Sequence, residues 1–385
     1  MRASHTFSRL CFGSTIATER HRSRTCLASG YDAVLVLKTS WGTGPRRSAA
    51  DTNYTAALHT LREVRTISSC ATVNRVATEL WIPLRGLKGE FVDLMRTFMS
   101  HGVADLRPGQ VDEAERAYTT TLALPRAQPR TIRISAGRPG VARVEVDGRK
   151  LGQQAALDLT EAVRLILNLD EDLSEFYALV ANDPDLSWAA AGSGRMLRTP
   201  TVFEAAVKTI CTTNVAWSAT VRMVNALVDN LGESGASGAR AFPTAEAMAS
   251  VPETFYRETV RAGYRSAYLH ALASGVVAGE FEIEELGLQA DLPDDEIASR
   301  LLALPGIGPY GAAHLMMLLG RHSRLILDSW TRPKYAKVNG RKAGDATVQR
   351  RFRRYGRYSG LAFWLYLTRD WVPTSQSRPD DGRSY

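Results

Sequence analysis

Apolar positions follow two different spacings along the chain, and each spacing predicts its own kind of structure. Three short segments, residues 118–124, 131–135 and 141–146, are rich in β-branched and apolar residues and predict strands. Gly137-Arg138-Pro139-Gly140 stands between the last two segments and predicts a hairpin turn. We therefore expect a small antiparallel sheet within roughly residues 80–150.

From residue 150 onward the apolar positions recur at helical spacing. Leu159, Val163, Leu165 and Ile166 form one stripe, and residues 203–231 contain a long helical stretch. Asp294-Asp295-Glu296 suits the first turn of a further helix, because carboxylates are stabilised by the positive end of the helix dipole. The pattern predicts an α+β protein that is mostly α-helical, with a small antiparallel N-terminal domain followed by a helical core.

The same pattern suggests domain boundaries. Residues 1–80 show weak periodicity and many Ser, Thr and Arg residues, so they stay unassigned: a disordered extension, a targeting segment and a misassigned start all fit. We expect the α/β N-terminal domain at residues 81–155 and the helical core at residues 156–372. Residues 373–385 read as a polar tail.

Composition narrows the class of protein. With 44% hydrophobic and 23% charged residues in 385, the chain resembles an ordinary soluble globular protein, and no apolar run is long enough to span a bilayer. The cysteines are scattered, which argues against a disulfide framework, a zinc site or an iron–sulfur cluster and favours a reducing interior. There are four of them, Cys11, Cys26, Cys70 and Cys211.

The net charge of +8 is concentrated in two stretches. Residues 1–50 carry eight Lys and Arg against two acidic residues, and residues 330–357 carry ten against a single Asp. Such a concentration of positive charge suggests a polyanionic partner, although a solvated charged face fits the run equally well.

The stretch Leu304-Pro305-Gly306-Ile307-Gly308-Pro309-Tyr310-Gly311 allows two interpretations. As G-x-G-x-x-G followed by Asp328 it matches a dinucleotide-binding fingerprint, but that motif needs a buried strand before it and β-α-β alternation after it. Here a capped helix precedes it, which favours a helix–hairpin–helix over residues 294–320. Pro309 suits the first turn of the second helix, and the glycines let backbone N–H groups approach a phosphate without reading base sequence.

The hairpin and the following Leu325-Ile326-Leu327-Asp328 resemble the helix–hairpin–helix DNA glycosylase superfamily. Residues 203–214 look like the helix that leads to the family's DNA-wedge loop, and residues 262–268 resemble its G-Y-R segment. Ser100-His101-Gly102 is similar to the 3-methyladenine DNA glycosylase II branch. The resemblance covers residues 84–372 and implies a two-lobed helical core with a cleft between the lobes.

The resemblance implies hydrolysis of the N-glycosidic bond of damaged purines, with alkylated bases expected, in base-excision repair. Asp328 takes the catalytic position, and it is also a good N-cap for a helix over residues 329–338; the two roles are compatible. Tyr310 stands where bifunctional members carry the lysine that cleaves the strand, so we expect a monofunctional enzyme. Lys208 is a poor substitute and is expected to face solvent.

The remaining candidate residues also follow from the resemblance. Asn214 is placed to fill the gap left by an extruded base, with an Asx-type turn as the alternative. Tyr268 and three other aromatic residues could stack on that base or belong to the core, and His314 is expected to be structural. The candidate DNA-binding residues are Leu304, Gly306, Ile307, Gly308, Tyr310, Asn214 and Arg332; the candidate pocket residues are Trp217, Tyr264 and Trp330; and the backbone carbonyls of Leu302, Leu304 and Ile307 are candidate ligands of K⁺ or Na⁺.

Beyond that structural cation no cofactor is expected. The expected partner is double-stranded DNA containing a damaged base, with no membrane and with the protein as a monomer. It would be cytoplasmic and associated with the nucleoid in a bacterium, and nuclear or mitochondrial in a eukaryote. Two rivals stay open: an 8-oxoguanine-type glycosylase, which Cys211-Thr212-Thr213-Asn214 also resembles, and a non-catalytic helix–hairpin–helix DNA-binding protein, against which Asp328 speaks.

Overall fold

The computed structural model describes residues 78–125, 127–287 and 291–372. The expectations for residues 1–77 and 373–385 lie outside these residues. The strands are β1 Thr78–Pro83, β2 Gln110–Asp112, β3 Ala117–Leu124, β4 Ala127–Ala136 and β5 Val141–Val146. The α-helices are α1 Leu94–Phe98, α2 Gln153–Ile166, α3 Ser174–Val180, α4 Val202–Thr212, α5 Trp217–Leu231, α6 Ala245–Ala249, α7 Glu253–Glu258, α8 Arg265–Val277, α9 Asp294–Ala303, α10 Pro309–Leu318, α11 Thr331–Asn339, α12 Asp345–Phe352 and α13 Ser359–Thr368. The predicted α+β class with mostly helical content is confirmed.

The five strands form one antiparallel sheet in the order β1-β5-β4-β3-β2. Ile134 on β4 is paired with Tyr118 on β3 and Val144 on β5, and these side chains are buried on one face, as period-2 alternation requires. The three predicted strands and their hairpin are confirmed. β1 and the three-residue β2 were not predicted, and β1 begins at Thr78, so the boundary expected at residue 80 falls within a strand.

Helix α2 covers the buried face of the sheet. Three residues of its predicted stripe, Leu159, Val163 and Ile166, are fully buried in the same apolar cluster as the inner face of the sheet, whereas the fourth, Leu165, is half-buried. The expected boundary at residue 155 therefore falls inside a helix that packs with the sheet, because the stripe needs the sheet to be removed from water.

A second, larger apolar cluster joins the other helices. Helix α4 lies in it with ten of its eleven residues buried, including Glu204 and Lys208. The helical stretch predicted over residues 203–231 is two helices, α4 and α5. They separate because Asn214 adopts φ +45°, a left-handed conformation that cannot continue a right-handed helix.

The helix–hairpin–helix is present where it was predicted, with α9 starting at Asp294 and α10 starting at Pro309. The helix expected over residues 329–338 is α11, which spans Thr331–Asn339. Within the part of the chain that the structure describes, no helix has both the length and the apolar character that crossing a membrane requires.

Candidate active site

The hairpin between α9 and α10 is a tight turn held by its glycine and its apolar residues. Leu304 and Ile307 are buried, and the Ile307 amide donates to the Leu304 carbonyl at 3.1 Å. Gly306 has φ +77°, and a Cβ there would lie 2.9 Å from Cβ of Tyr268 on α8. Gly308 is different, because a Cβ on it would meet nothing within 4 Å. The first N–H groups of α10 have no intrahelical acceptor, so this open side of the turn is suited to an anion.

Asp328 is half-buried and anchored at the start of α11. Its Oδ1 accepts hydrogen bonds from the amides of Trp330 at 2.9 Å and Thr331 at 2.6 Å, while its own amide donates to Thr331 Oγ1 at 2.8 Å. These bonds are the capping role predicted from the sequence. They hold one carboxylate oxygen, whereas no hydrogen bond is found for the other among the described residues, so capping leaves that second oxygen available.

Tyr310 lies close enough to Asp328 for the two to interact. Burial raises the pKa of the Tyr310 hydroxyl, a hydrogen bond with Thr212 lowers it, and the nearby Asp328 carboxylate raises it further. The phenol therefore stays protonated at neutral pH. His314, one turn later on α10, is buried with its ring parallel to that of Tyr310, at 6.0 Å between centroids and 7° between planes.

Lys208 does not face solvent, and this expectation was wrong. The side chain is only 2% exposed; its Nζ lies 2.7 Å from Glu204 Oε1 and donates to the Leu106 carbonyl at 2.8 Å. The pair is one helical turn apart on α4, which is buried on nearly all sides, so both charges are enclosed and partnered. Burial raises the pKa of the Glu204 carboxyl, and the neighbouring ammonium partly opposes that rise.

The expected wedge loop is an exposed turn that the side chain of Arg265 holds in place. Asn214 is exposed, and the Arg265 guanidinium donates to both the carbonyl and the Oγ1 of the preceding Thr213. The same guanidinium lies over the Tyr264 ring, 4.5 Å from its centroid, and the Tyr264 hydroxyl is 3.4 Å from Thr213 Oγ1. Sequence reasoning missed the role of Arg265 as a clamp, although its place in the G-Y-R segment could have indicated it.

Two exposed tyrosines connect this loop to the hairpin. Tyr264 is 55% exposed and Tyr268 is 41% exposed, with ring centroids 6.2 Å apart in an edge-to-face arrangement. Because Tyr268 packs on Gly306, the wedge loop, the two rings and the hairpin form one continuous exposed surface. The structure therefore brings together the candidate residues Asn214, Tyr264 and the hairpin.

The two candidate pocket tryptophans are half-buried and pack against other apolar groups. The Trp330 ring is 5.5 Å from that of Trp364 and 5.8 Å from that of Trp371. Trp217 begins α5 and packs against the large apolar cluster. Trp330 lies two residues after Asp328, and its amide donates to Asp328 Oδ1.

Arg332 and the basic stretch around it are not a block of unpaired charge. Arg332 makes a two-point ion pair with Asp345, at 2.9 and 2.8 Å, and both side chains are about half-exposed. Four further cations of the stretch pair with acidic residues that lie far away in the sequence or beyond its end: Lys334 with Asp370, Arg351 with Asp185, Arg354 with Asp183 and Arg357 with Glu175. Counting charges in the sequence could not reveal these partners, so the positive surface is smaller than the sequence suggested.

No protein-family model matches this chain, and no curated protein matches its sequence. Solved structures do match. MBOgg1 in complex with a low-affinity DNA ligand has a TM-score of 0.58 at 20% identity, over 77% of this chain and 96% of its own. The 3-methyladenine DNA glycosylase from Archaeoglobus fulgidus has a TM-score of 0.58 at 19% identity, over 75% of this chain and 97% of its own. The apo 8-oxoguanine glycosylase/lyase of Clostridium acetobutylicum has a TM-score of 0.56 at 19% identity, over 72% of this chain and 92% of its own. The chain therefore has the fold of the helix–hairpin–helix DNA glycosylases.

Proposed function

We propose that the protein is a DNA glycosylase that hydrolyses the N-glycosidic bond of damaged purines. The observation that carries this proposal is Asp328, a half-buried carboxylate held by two backbone amides beside Tyr310 and the hairpin helix. A non-catalytic DNA-binding protein would need the hairpin and could use Asp328 Oδ1 as a helix cap, but it would have no use for the second carboxylate oxygen.

The chemistry follows from what each group can do. A glycosylase takes the nucleotide out of the stack and breaks the bond through a transition state with positive charge on the sugar. The Asp328 oxygen that is not used in capping stabilises this charge and orients the attacking water. The hairpin amides hold a phosphate, and Asn214 enters the space that the extruded base leaves.

The proposed reaction is monofunctional. Strand cleavage by a bifunctional enzyme needs an amine that forms a Schiff base with the sugar. Tyr310 occupies the position of that amine in the family, and Lys208 is enclosed with Glu204 in the interior. We expect borohydride to trap no covalent adduct with DNA, and a trapped adduct would contradict this part of the proposal.

Alkylated purines are the proposed substrates. Purines alkylated at a ring nitrogen carry positive charge, and such a base is attracted to the face of a protonated phenol ring like that of Tyr310. The alternative is 8-oxoguanine, because the two similar glycosylases with 8-oxoguanine or Ogg1 in their names fit the fold as well as the 3-methyladenine enzyme does. Absence of the lyase amine weighs against that alternative.

The proposed partner is a DNA duplex, bound by a monomer. The carbonyls of Leu302, Leu304 and Ile307 would hold K⁺ or Na⁺ against a phosphate, since hard cations prefer oxygen ligands. The Leu304 carbonyl already accepts the Ile307 amide and has one lone pair left for a cation. The cation would aid DNA binding and would take no part in bond cleavage.

The proposal is tested by base release. Duplexes of one sequence, each carrying one damaged base, are incubated with the protein, and free base and alkali-labile sites are measured. Release of an alkylated purine, with the strand intact before alkali, is the expected result. If no duplex in the panel lost its base, the protein would not be a glycosylase of this kind.

A further inference from the structure

Behind Tyr310 lie two buried histidines that the chemistry described above does not use. His314 stacks on Tyr310, and the ring of His101 meets that of His314 edge-on, with centroids 6.0 Å apart and planes at 83°. His314 and Tyr310 share one face of α10 because they are four residues apart. His101 comes from the segment between α1 and β2, so the contact joins the N-terminal part of the fold to the hairpin helix.

The hydrogen bonds of His101 leave one ring nitrogen unpartnered. Nε2 is 2.7 Å from the Leu197 carbonyl, which can only accept, so Nε2 carries the proton. Nδ1 is then a bare acceptor, and it is buried without a partner among the described residues. An unmade hydrogen bond of this kind costs about 1–3 kcal/mol, so this nitrogen is expected to accept a hydrogen bond from a water or from a ligand.

Both histidines are neutral at physiological pH. Burial lowers the pKa of His101 to about 4, and the Lys208 ammonium lowers it further while the Leu197 hydrogen bond opposes the change. Burial also lowers the pKa of His314 to about 3, with a smaller contribution from His101. Two neutral histidine rings do not repel a base that carries positive charge, whereas two imidazolium rings would.

The position of the pair relative to Asp328 suggests its role. The Asp328 charge acts on Tyr310, and Tyr310 stacks on His314. His314 in turn meets His101, so a base whose sugar faces Asp328 would extend along these rings. The His314 ring is buried against Tyr310, so admitting a base requires this ring to rotate and to give up the 3.3 Å contact between its Nδ1 and Thr209 Oγ1. Flat rings suit the face of a purine, and the edge of the purine then reaches His101.

We propose that His314 and His101 form the floor of the base pocket, and that His101 Nδ1 accepts a hydrogen bond from an N–H group of the damaged purine. The inference rests on the proposed function and narrows its substrates to purine lesions that present such a donor. His101 is then a specificity-determining residue, because a site built to accept a hydrogen bond discriminates against bases that cannot donate one.

The test uses two free bases that differ at that edge. 3-Methyladenine keeps its exocyclic amine, whereas in 1,N6-ethenoadenine that nitrogen is closed into a ring. Binding of each base is measured by calorimetry to the full-length protein in complex with a duplex that contains a tetrahydrofuran abasic analogue. The variants are His101→Phe, which keeps a ring but removes the acceptor, and His101→Asn, which keeps an acceptor near the Nδ1 position.

His101→Phe should weaken 3-methyladenine binding by about 10- to 100-fold, corresponding to the loss of one buried hydrogen bond. It should change ethenoadenine binding by less than about threefold, and His101→Asn should retain most of the 3-methyladenine affinity. Equal losses for both bases, or no loss for either, would overturn the proposal. Melting temperatures and affinity for the abasic duplex, measured in parallel, identify a variant that is merely misfolded. If His101→Phe is misfolded, the test rests on whether His101→Asn retains most of the 3-methyladenine affinity.

Excision by the wild type distinguishes this inference from the proposed function. If the wild type releases no base while the selective effect of His101→Phe is found, the glycosylase assignment is wrong and the base-binding floor stands. If the wild type excises alkylated purines and His101→Phe shows no selectivity, the floor is wrong and the glycosylase assignment stands.

Discussion

Gly306→Ala is expected to disrupt the hairpin, whereas Gly308→Ala is expected to leave it folded. Gly306 has φ +77°, and an L-residue in this region costs about 1–2 kcal/mol. The added methyl would also lie 2.9 Å from Tyr268 Cβ and 3.0 Å from two of its ring carbons. Since Cβ of Tyr268 is fixed by the α8 backbone, the overlap cannot be relieved by a rotamer change, and overpacking of this kind costs about 1–3 kcal/mol.

The two contributions together predict a loss of about 2–5 kcal/mol, or a melting temperature lower by roughly 3–8 °C in a domain of this size. Gly308 has φ −97° and open space around its Cβ, so its alanine variant should melt within about 2 °C of wild type. Scanning calorimetry on both variants measures the difference. In a Tyr268→Ala background two of the three close contacts disappear, and the penalty for Gly306→Ala should shrink. Equal melting temperatures for the two alanine variants would refute the described turn geometry.

Three further predictions concern binding and stability. Gly308→Asp should weaken binding to damaged and undamaged duplexes alike and flatten the plot of log K against log[salt] by about one unit, since a carboxylate there repels one phosphate; loss of damage preference alone would contradict this. Lys208→Met should cost about 3–5 kcal/mol by leaving Glu204 buried without its partner, and adding Glu204→Leu should recover most of the loss in a urea titration. His101 and His314 have folded pKa values below the unfolded value of about 6.5, so below that pH the unfolded chain binds protons that the folded protein does not. The free energy of unfolding should therefore be constant above about pH 6.5 as far as these two groups decide it. Below that pH it should fall by about 1.4 kcal/mol per pH unit for each histidine, down to the folded pKa values. Urea midpoints at pH 7 and pH 5 measure this loss, and midpoints that coincide would show that the two rings titrate normally.

The hairpin could be predicted from the sequence because its signals are local. Pro309 and the glycines Gly306 and Gly308 predict the turn, and the acidic cluster at Asp294 predicts where α9 begins. The same holds for the regular strands β3 to β5. β1 was missed because it starts within a stretch rich in Ser, Thr and Arg and pairs with β5, about sixty residues away in the sequence.

Burial and long-range pairing account for the expectations that failed. Lys208 was expected to face solvent, and only the central position of α4 among other helices encloses it together with Glu204. The basic stretch looked unpaired because acids such as Asp183 and Glu175 lie about 170–180 residues before their arginine partners. The His101–His314 contact was likewise invisible, since its two halves come from different parts of the fold.

The central claim is that Asp328 is the catalytic carboxylate, and base excision by Asp328→Asn tests it most directly. Asparagine keeps the Oδ1 acceptor that binds the Trp330 and Thr331 amides, so the start of α11 should survive while the negative charge is lost. Asp370→Asn, a change of the same type at an exposed ion pair with Lys334, is the matched control. We predict that Asp328→Asn excises at least about 10²-fold more slowly than wild type, with unchanged affinity for an abasic-analogue duplex, and that the control variant excises normally. Excision by Asp328→Asn within about threefold of wild type would contradict the account, because preorganised charge at this position is expected to contribute far more than that to the rate.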